Sequence, residues 1–164
     1  MQFTFKLMDE VEARSIRAWR YEEPYAVYNA PEDSEDFSEE LDRRSPYYAV
    51  RDERGELVGF FNFGTSALVW DSGDPGIYSE NKTVAIGLGM RPDLTGKGLG
   101  LAFVEAGLAF AREQFHPDYF HLFVYTFNER AIKVYEQAGF QRVRVFMIRN
   151  IHGESEFLEM KRHA

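Results

Sequence analysis

Three glycines at alternate positions, Gly96, Gly98 and Gly100, stand between a predicted β-strand and a predicted α-helix. The strand pattern ends at Met90, and the helix pattern begins near Gly98. Glycine allows positive φ angles and a close approach of the backbone to a ligand. Free N–H groups and the helix dipole attract an anion to a helix N-terminus. The turn therefore predicts a site for a phosphate or pyrophosphate, to which Lys97 can add a positive charge.

Two common nucleotide-binding loops do not fit this turn. A P-loop requires a Ser or Thr after its lysine, whereas Lys97 is followed by Gly98. A dinucleotide-binding loop requires a third glycine or an alanine, and the two possible registers place Leu101 or Phe103 at that position. A glycine-rich connector without a ligand is the remaining alternative.

The hydrophobic pattern of the chain predicts one domain, residues 1–164, of mixed α+β class. About seven strands and about four helices are predicted, in a mixed α/β or α+β arrangement with the helices packed on a central sheet. Residues 64–81 are predicted to be mostly loop, and Gly139 is expected to end the last helix in a left-handed conformation. The predicted strands are 2–7, 47–51, 57–63, 83–90, 119–126, 141–149 and 154–160. The predicted helices are 9–19, a short one within 32–40 capped by Ser34, 98–115 and 128–138.

Composition excludes several classes of function. The chain has no cysteine, so it can form neither a disulfide nor a cysteinyl thioester. Its four histidines lack metal-ligand spacing, so no metal is expected. A net charge of −8 argues against a nucleic-acid partner. No apolar run is long enough to span a membrane, and the N-terminal residues do not resemble a signal peptide, so a cytoplasmic location is expected.

Two segments together resemble the GNAT superfamily of N-acetyltransferases. Residues 88–100 read Leu-Gly-Met-Arg-Pro-Asp-Leu-Thr-Gly-Lys-Gly-Leu-Gly, similar to the family's strand ending in apolar-x-Pro and its R/Q-x-x-G-x-G/A turn. Residues 128–140 match the family's N-x-x-A-x-x-x-Y-x-x-x-G-F pattern. The resemblance implies a GNAT-like fold, with a central, mostly antiparallel twisted sheet, and acetyl-CoA as co-substrate. It also implies transfer of the acetyl group to an amine by direct attack in a ternary complex.

The resemblance also assigns roles to individual residues. The backbone of Leu88, Gly89 and Met90 would pair with the pantetheine arm and contact the thioester oxygen. Asn128 would hydrogen-bond the same arm, and Tyr135 would protonate the departing thiolate. Helix capping is an alternative role for Asn128, and packing is one for Tyr135. The residues expected around the pyrophosphate are Gly96, Lys97, Gly98, Leu99, Gly100 and Leu101.

The acceptor site is expected near the first helix and the loop that follows it. Aromatic rings and carboxylates suit an amine or ammonium group, carried by a small molecule or a peptide. An aromatic cluster that fixes the loop to the core is the alternative interpretation. The resemblance also allows a homodimer. The candidate acceptor residues are Trp19, Tyr21, Glu22, Glu23, Tyr25 and Tyr28.

Two positions depart from the family pattern. Thr95 stands where the family usually has Gln or Arg, which predicts weaker pyrophosphate binding. Residues 123–127 contain no carboxylate, although several family members have a Glu on this strand. The general base is therefore not identified. It could be Glu22, Glu23 or Glu80, or the reaction could proceed without one. The missing carboxylate also leaves a second hypothesis, a GNAT-fold sensor that binds acyl-CoA without turnover.

Overall fold

The computed structural model describes residues 2–31, 34–150 and 153–164. Within these residues, one eight-stranded sheet is flanked by four α-helices. The strands are β1 (Thr4–Leu7), β2 (Tyr47–Arg51), β3 (Leu57–Phe63), β4 (Tyr78–Ser79), β5 (Thr83–Met90), β6 (Tyr119–Tyr125), β7 (Gln141–Asn150) and β8 (Gly153–His163). The helices are α1 (Glu10–Arg17), α2 (Ser38–Leu41), α3 (Gly100–Phe115) and α4 (Glu129–Gln137).

The sheet has one parallel contact, and that contact shapes the molecule. The strand order is β1-β2-β3-β5-β6-β8-β7, and β4 pairs with the start of β5. Every pairing in the described residues is antiparallel except β5 with β6. These two strands pair only between Thr83–Ala85 and Tyr119–His121. Beyond that point they diverge, and a gap opens in the middle of the sheet.

Helices cover both faces of the sheet. The amphipathic helices α3 and α4 pack on one face over the larger core, which includes Phe61, Phe103 and Phe120. The other face carries α1 and α2 over a smaller core around Met8 and Phe37. No helix in the described ranges is both long enough and apolar enough to span a membrane.

The predicted mixed fold is confirmed, and its differences from prediction have local causes. The short acidic helix begins after Phe37 and is not capped by Ser34, whose hydroxyl accepts a hydrogen bond from Arg17 instead. The region predicted as loop contributes the two-residue strand β4. The long helix α3 starts at Gly100, later than predicted, because Gly98 has a φ of +78° that a helix cannot contain. Residues 151 and 152 of the predicted last turn lie outside the described residues.

Candidate functional site

A cavity of about 570 Å³ occupies the gap between β5 and β6. On the side of α3 and α4 it is lined by the glycine turn and by Leu101, Val134 and Tyr135. On the opposite face of the sheet it reaches Phe60 and Phe123. The cavity therefore passes through the sheet, so two molecules entering from opposite faces could meet inside it.

The hydrogen bonds of β5 show which way its backbone faces. The carbonyl of Ala85 accepts from the N–H of Gly64, directly after β3, and the N–H of Arg91 donates to the carbonyl of Val58 on β3. Both backbone groups of an antiparallel strand residue point to the same side, and the side alternates along the strand. The odd-numbered residues 85–91 therefore face β3, and the even-numbered residues face the gap.

Because of this alternation, only two of the three residues predicted to contact the cofactor through their backbone face the gap. Leu88 and Met90 direct their N–H and C=O groups into the gap, whereas Gly89 directs its groups toward β3. The Met90 carbonyl accepts a hydrogen bond of 2.5 Å from the Tyr21 hydroxyl. Leu88 therefore presents a free strand edge, to which an amide-containing chain could add as a further strand.

The three glycines of the turn have different roles. Gly96 and Gly98 have φ angles of +71° and +78°, which side chains other than glycine rarely adopt. Gly100 lies at the start of α3, where a Cβ would come within 3.2 Å of Val134 on α4. The first two glycines thus shape the loop, and the third allows α3 to pack against α4. The α3 N-terminus has no side-chain cap, so its first N–H groups remain available to an anion.

The Arg130 side chain places a positive charge beside the glycine turn, where Thr95 has only a hydroxyl. The Thr95 hydroxyl donates to the Pro92 carbonyl at 2.7 Å and is therefore engaged within the loop. The Arg130 guanidinium lies over the Tyr25 ring at 4.3 Å and 3.3 Å from the Cβ position of Gly96. Arg130 comes from the first turn of α4 and lines the cavity. Its place two residues after Asn128 was visible in the sequence, but its proximity to the turn was not.

Asn128 joins the start of α4 to the loop that follows α1. Its side-chain oxygen accepts from the Ala131 N–H at 3.2 Å, which caps α4. Its side-chain nitrogen donates to the Tyr28 hydroxyl at 2.9 Å. Asn128 is 8% exposed and lines the cavity. The capping alternative is thus present in the structure, and the amide reaches the cavity as well.

Three tyrosines around the cavity, Tyr21, Tyr28 and Tyr135, keep their phenolic protons at neutral pH. Burial raises the pKa of Tyr21 to about 12 and also raises the pKa of Tyr28. Burial raises the pKa of Tyr135 further, with a smaller contribution from the nearby Tyr28. A phenol with a raised pKa keeps its proton. Tyr135 can therefore donate that proton to a group in the cavity.

The other predicted residues divide into two groups. Tyr21, Tyr25 and Tyr28 line the cavity together with the glycines of the turn. The remaining predicted site residues do not belong to the cavity lining; they are Trp19, Glu22, Glu23, Lys97 and Leu99. Glu80, considered as a general base, is not part of the lining either. Sequence reasoning missed Phe60 and Phe123 on the second face, because both have the pattern of ordinary strand residues.

The cavity is mostly apolar. Among the described residues that line it, Arg130 is the only one with a formal charge, and no carboxylate is present. No group of three or more acidic or histidine side chains in the described ranges is arranged to hold a metal ion.

Comparison with known proteins identifies relatives. Residues 13–140 match the model of the acetyltransferase (GNAT) family. The mycothiol acetyltransferase of Propionibacterium freudenreichii subsp. shermanii is 37% identical over 94 residues, which cover 57% of this chain and 27% of that protein. The mycothiol acetyltransferase of Acidothermus cellulolyticus is 31% identical over 153 residues, covering 82% of this chain and 46% of that protein. The chain thus spans less than half the length of these relatives.

Solved structures show the same fold. A spermidine/spermine N-acetyltransferase from Vibrio cholerae superposes with a TM-score of 0.70 at 18% identity, covering 99% of this chain and 92% of that one. An aminoglycoside acetyltransferase in complex with coenzyme A gives a TM-score of 0.70 at 20% identity, covering 98% and 95% of the two chains.

Proposed function

Because the chain belongs to the acetyltransferase (GNAT) family, we propose that it transfers the acetyl group of acetyl-CoA directly to an amine. The observation that carries the proposal is the gap between β5 and β6, which connects the glycine turn on one face of the sheet to an apolar pocket on the other. A single cavity of this kind lets cofactor and acceptor bind together. No acyl-enzyme intermediate is then needed.

The residues around the gap fit acetyl-CoA. The glycine turn, the α3 N-terminus and Arg130 form a positively polarised surface for the pyrophosphate. The free edge of β5 at Leu88 suits the amides of the pantetheine arm, and the Asn128 amide lies on the same path. Asn128 and Met90 are hydrogen-bonded to Tyr28 and Tyr21, so these two tyrosines would have to share or yield those groups when the arm enters.

The catalytic groups then have separate tasks. A backbone N–H of Leu88 or Met90 would stabilise the oxyanion that forms when the amine attacks the thioester carbon. Removing one such donor typically costs about 3 kcal/mol of transition-state stabilisation. Tyr135 would donate its phenolic proton to the sulfur as the C–S bond breaks. The raised pKa of Tyr135 supports this role because the proton remains bound until the thiolate develops.

The lining suggests the class of acceptor. The relatives are named for mycothiol, and the structural neighbours for spermidine and aminoglycosides. A polycation would require carboxylates near its additional charges, and the described lining contains none. Phe60 and Phe123 favour an uncharged, partly apolar group next to the amine. We therefore infer a primary amine on an uncharged body rather than a polyamine.

An acceptor screen tests the proposed function. Thiol release from acetyl-CoA is measured with spermidine, an aminoglycoside, serine methyl ester and phenethylamine. The expected result is turnover with the last two exceeding turnover with the polycations. Binding of acetyl-CoA without thiol release for any amine would contradict the proposal and favour the sensor hypothesis.

Replacing Arg130 should weaken cofactor binding. Because a hydrogen bond to a charged group contributes roughly 1.5–3 kcal/mol, Arg130→Ala should raise the Kd for acetyl-CoA by about tenfold or more. Calorimetry measures the affinity. Lys133→Ala is the matched control, since Lys133 is an exposed cation on the same helix that does not line the cavity. Equal affinities of the two variants would remove Arg130 from the pyrophosphate site.

A further inference from the structure

His121 is a buried histidine with one nitrogen free. It lies on β6 and is 8% exposed. Its Nδ1 is 3.2 Å from Oε2 of Glu159 on β8. Its Nε2 is buried and has no hydrogen-bond partner among the described residues. Buried polar atoms are nearly always paired, so an unpaired imidazole nitrogen requires an explanation.

The contact with Glu159 fixes the protonation of the ring. Burial alone would raise the pKa of Glu159, but hydrogen bonds with Arg144 and His121 lower it, so this carboxyl is ionised at neutral pH. An ionised carboxylate can only accept hydrogen bonds. Nδ1 of His121 therefore carries the proton, and Nε2 holds the lone pair. The free nitrogen is thus the basic one.

The sheet places that lone pair at the point where β5 and β6 separate. His121 is opposite Ala85 in the last pair before the gap. It shares a face of the sheet with Phe123, which lines the cavity and contacts the His121 ring at a centroid distance of 5.0 Å. His121 itself is not part of the cavity lining, but the next two residues of β6, Leu122 and Phe123, are.

A second unpaired atom lies on the same face. The Thr83 hydroxyl is buried and lacks a partner among the described residues. Thr83 precedes Ala85 by two residues on β5, so both side chains point to the face that carries His121. Two buried polar atoms without partners among the described residues therefore lie on the same face of adjacent strands, where β5 and β6 are still paired.

We propose that His121 is the general base that deprotonates the acceptor amine, with Glu159 as the positioning residue that fixes its tautomer. The inference rests on the proposed function and assigns the role that the sequence left open. None of Glu22, Glu23, Glu80 and His121 belongs to the cavity lining, but the three glutamates are exposed to solvent, whereas His121 is buried. His121 combines burial, a fixed tautomer and a place at the end of the gap.

The proton transfers balance with this assignment. Nε2 accepts a proton from the ammonium group through a water molecule, and the amine lone pair forms the C–N bond. The C–S bond breaks, and the sulfur takes the proton of Tyr135. The new amide nitrogen releases its surplus proton, which restores the Tyr135 phenol. The imidazolium returns its own proton to solvent.

The charges around His121 determine the pH at which it can act. Burial lowers the pKa of His121 below 6.5, and Glu159 only partly offsets this, while Lys161 and Arg144 lower it slightly further. The base is the neutral form, so activity should rise as pH increases through this lowered pKa. Near neutral pH the base is fully available.

Two substitutions of His121 distinguish loss of the basic nitrogen from disruption of the fold. His121→Asn retains a polar group near the Nδ1 position but removes Nε2, and His121→Gln retains a polar group near the Nε2 position but cannot take the proton. Single-turnover acetyl transfer to phenethylamine should slow at least about tenfold in both variants. The transfer rate of the wild type should fall below pH 6.5, and this fall should be absent from both variants. Their affinity for acetyl-CoA should remain unchanged. His116→Asn, at an exposed left-handed position, is the control.

Nitrogen NMR of the wild-type protein tests the inference without any acceptor. The expected spectrum shows His121 protonated at Nδ1 near neutral pH, with a pKa below 6.5. A proton on Nε2 would overturn the proposal, and so would wild-type transfer rates and pH profiles in the two variants. Absence of wild-type transfer to every amine of the screen would overturn the proposed function and this inference together. Normal wild-type transfer with unaffected variants would overturn the inference alone.

Discussion

Tyr135→Phe is expected to lower kcat for acetyl transfer at least about tenfold while leaving acetyl-CoA affinity near that of the wild type. The phenol is buried, and its raised pKa keeps the proton in place at neutral pH. Removing the hydroxyl leaves the ring, which packs against Phe140, and should therefore leave the cavity intact. The departing thiolate would lose its proton donor. Thiol release measures kcat, and calorimetry measures affinity.

Tyr48→Phe is the matched control for this substitution. Tyr48 is a partly buried tyrosine on β2, its pKa is also raised by burial, and it does not line the cavity. The control should retain wild-type kcat. Unchanged turnover in Tyr135→Phe would contradict the general-acid role and leave Tyr135 as a packing residue, the alternative that its place on α4 allowed.

The parts of the site that follow from local sequence could be predicted. The glycine turn is read from three glycines, and its left-handed angles at Gly96 and Gly98 are what glycine at those positions indicates. Asn128 as an N-cap and Gly139 as a helix end are also local signals, and both are present. Each depends only on residues within one or two turns of chain.

The parts that depend on distant residues could not be predicted. Arg130 becomes relevant only because α4 packs beside the turn after α3. His121 becomes a candidate base only because β8 brings Glu159 to it from 38 residues away. Ser34 lies three residues before the N-cap position Phe37, and its hydroxyl accepts a hydrogen bond from Arg17, 17 residues earlier. Single-sequence patterns carry no information on such contacts.

The predicted acceptor residues show the same division. The aromatic side chains at positions 21, 25 and 28 reach the cavity because the segment folds across the gap and is held there by Asn128 and the Met90 carbonyl. The adjacent Glu22 and Glu23 are exposed and point elsewhere. The segment predicted from the sequence thus lies at the cavity, but the sequence could not determine which of its side chains face inward.

Gly98→Val is expected to abolish measurable acetyl-CoA binding. Gly98 has a φ of +78°, and a β-branched residue is strained there, so the loop would change its backbone angles and move its N–H groups. Apart from its two chain neighbours, no described residue has an atom within 4 Å of a Cβ at this position. The added side chain would therefore project into the open space at the cavity where the pyrophosphate is expected. Calorimetric titration with acetyl-CoA measures the loss.

Gly55→Val separates backbone strain from loss of the ligand site. Gly55 has a φ of +80° and lies in the turn between β2 and β3, outside the cavity lining. Its Cβ position, too, has no atom of a described residue within 4 Å other than those of its chain neighbours. Both variants should lose comparable stability in thermal unfolding, because the strain is the same, and only Gly98→Val should lose the cofactor. Wild-type affinity in Gly98→Val would place the pyrophosphate elsewhere. Loss of affinity in both variants would mean that general destabilisation, not the turn, abolishes binding.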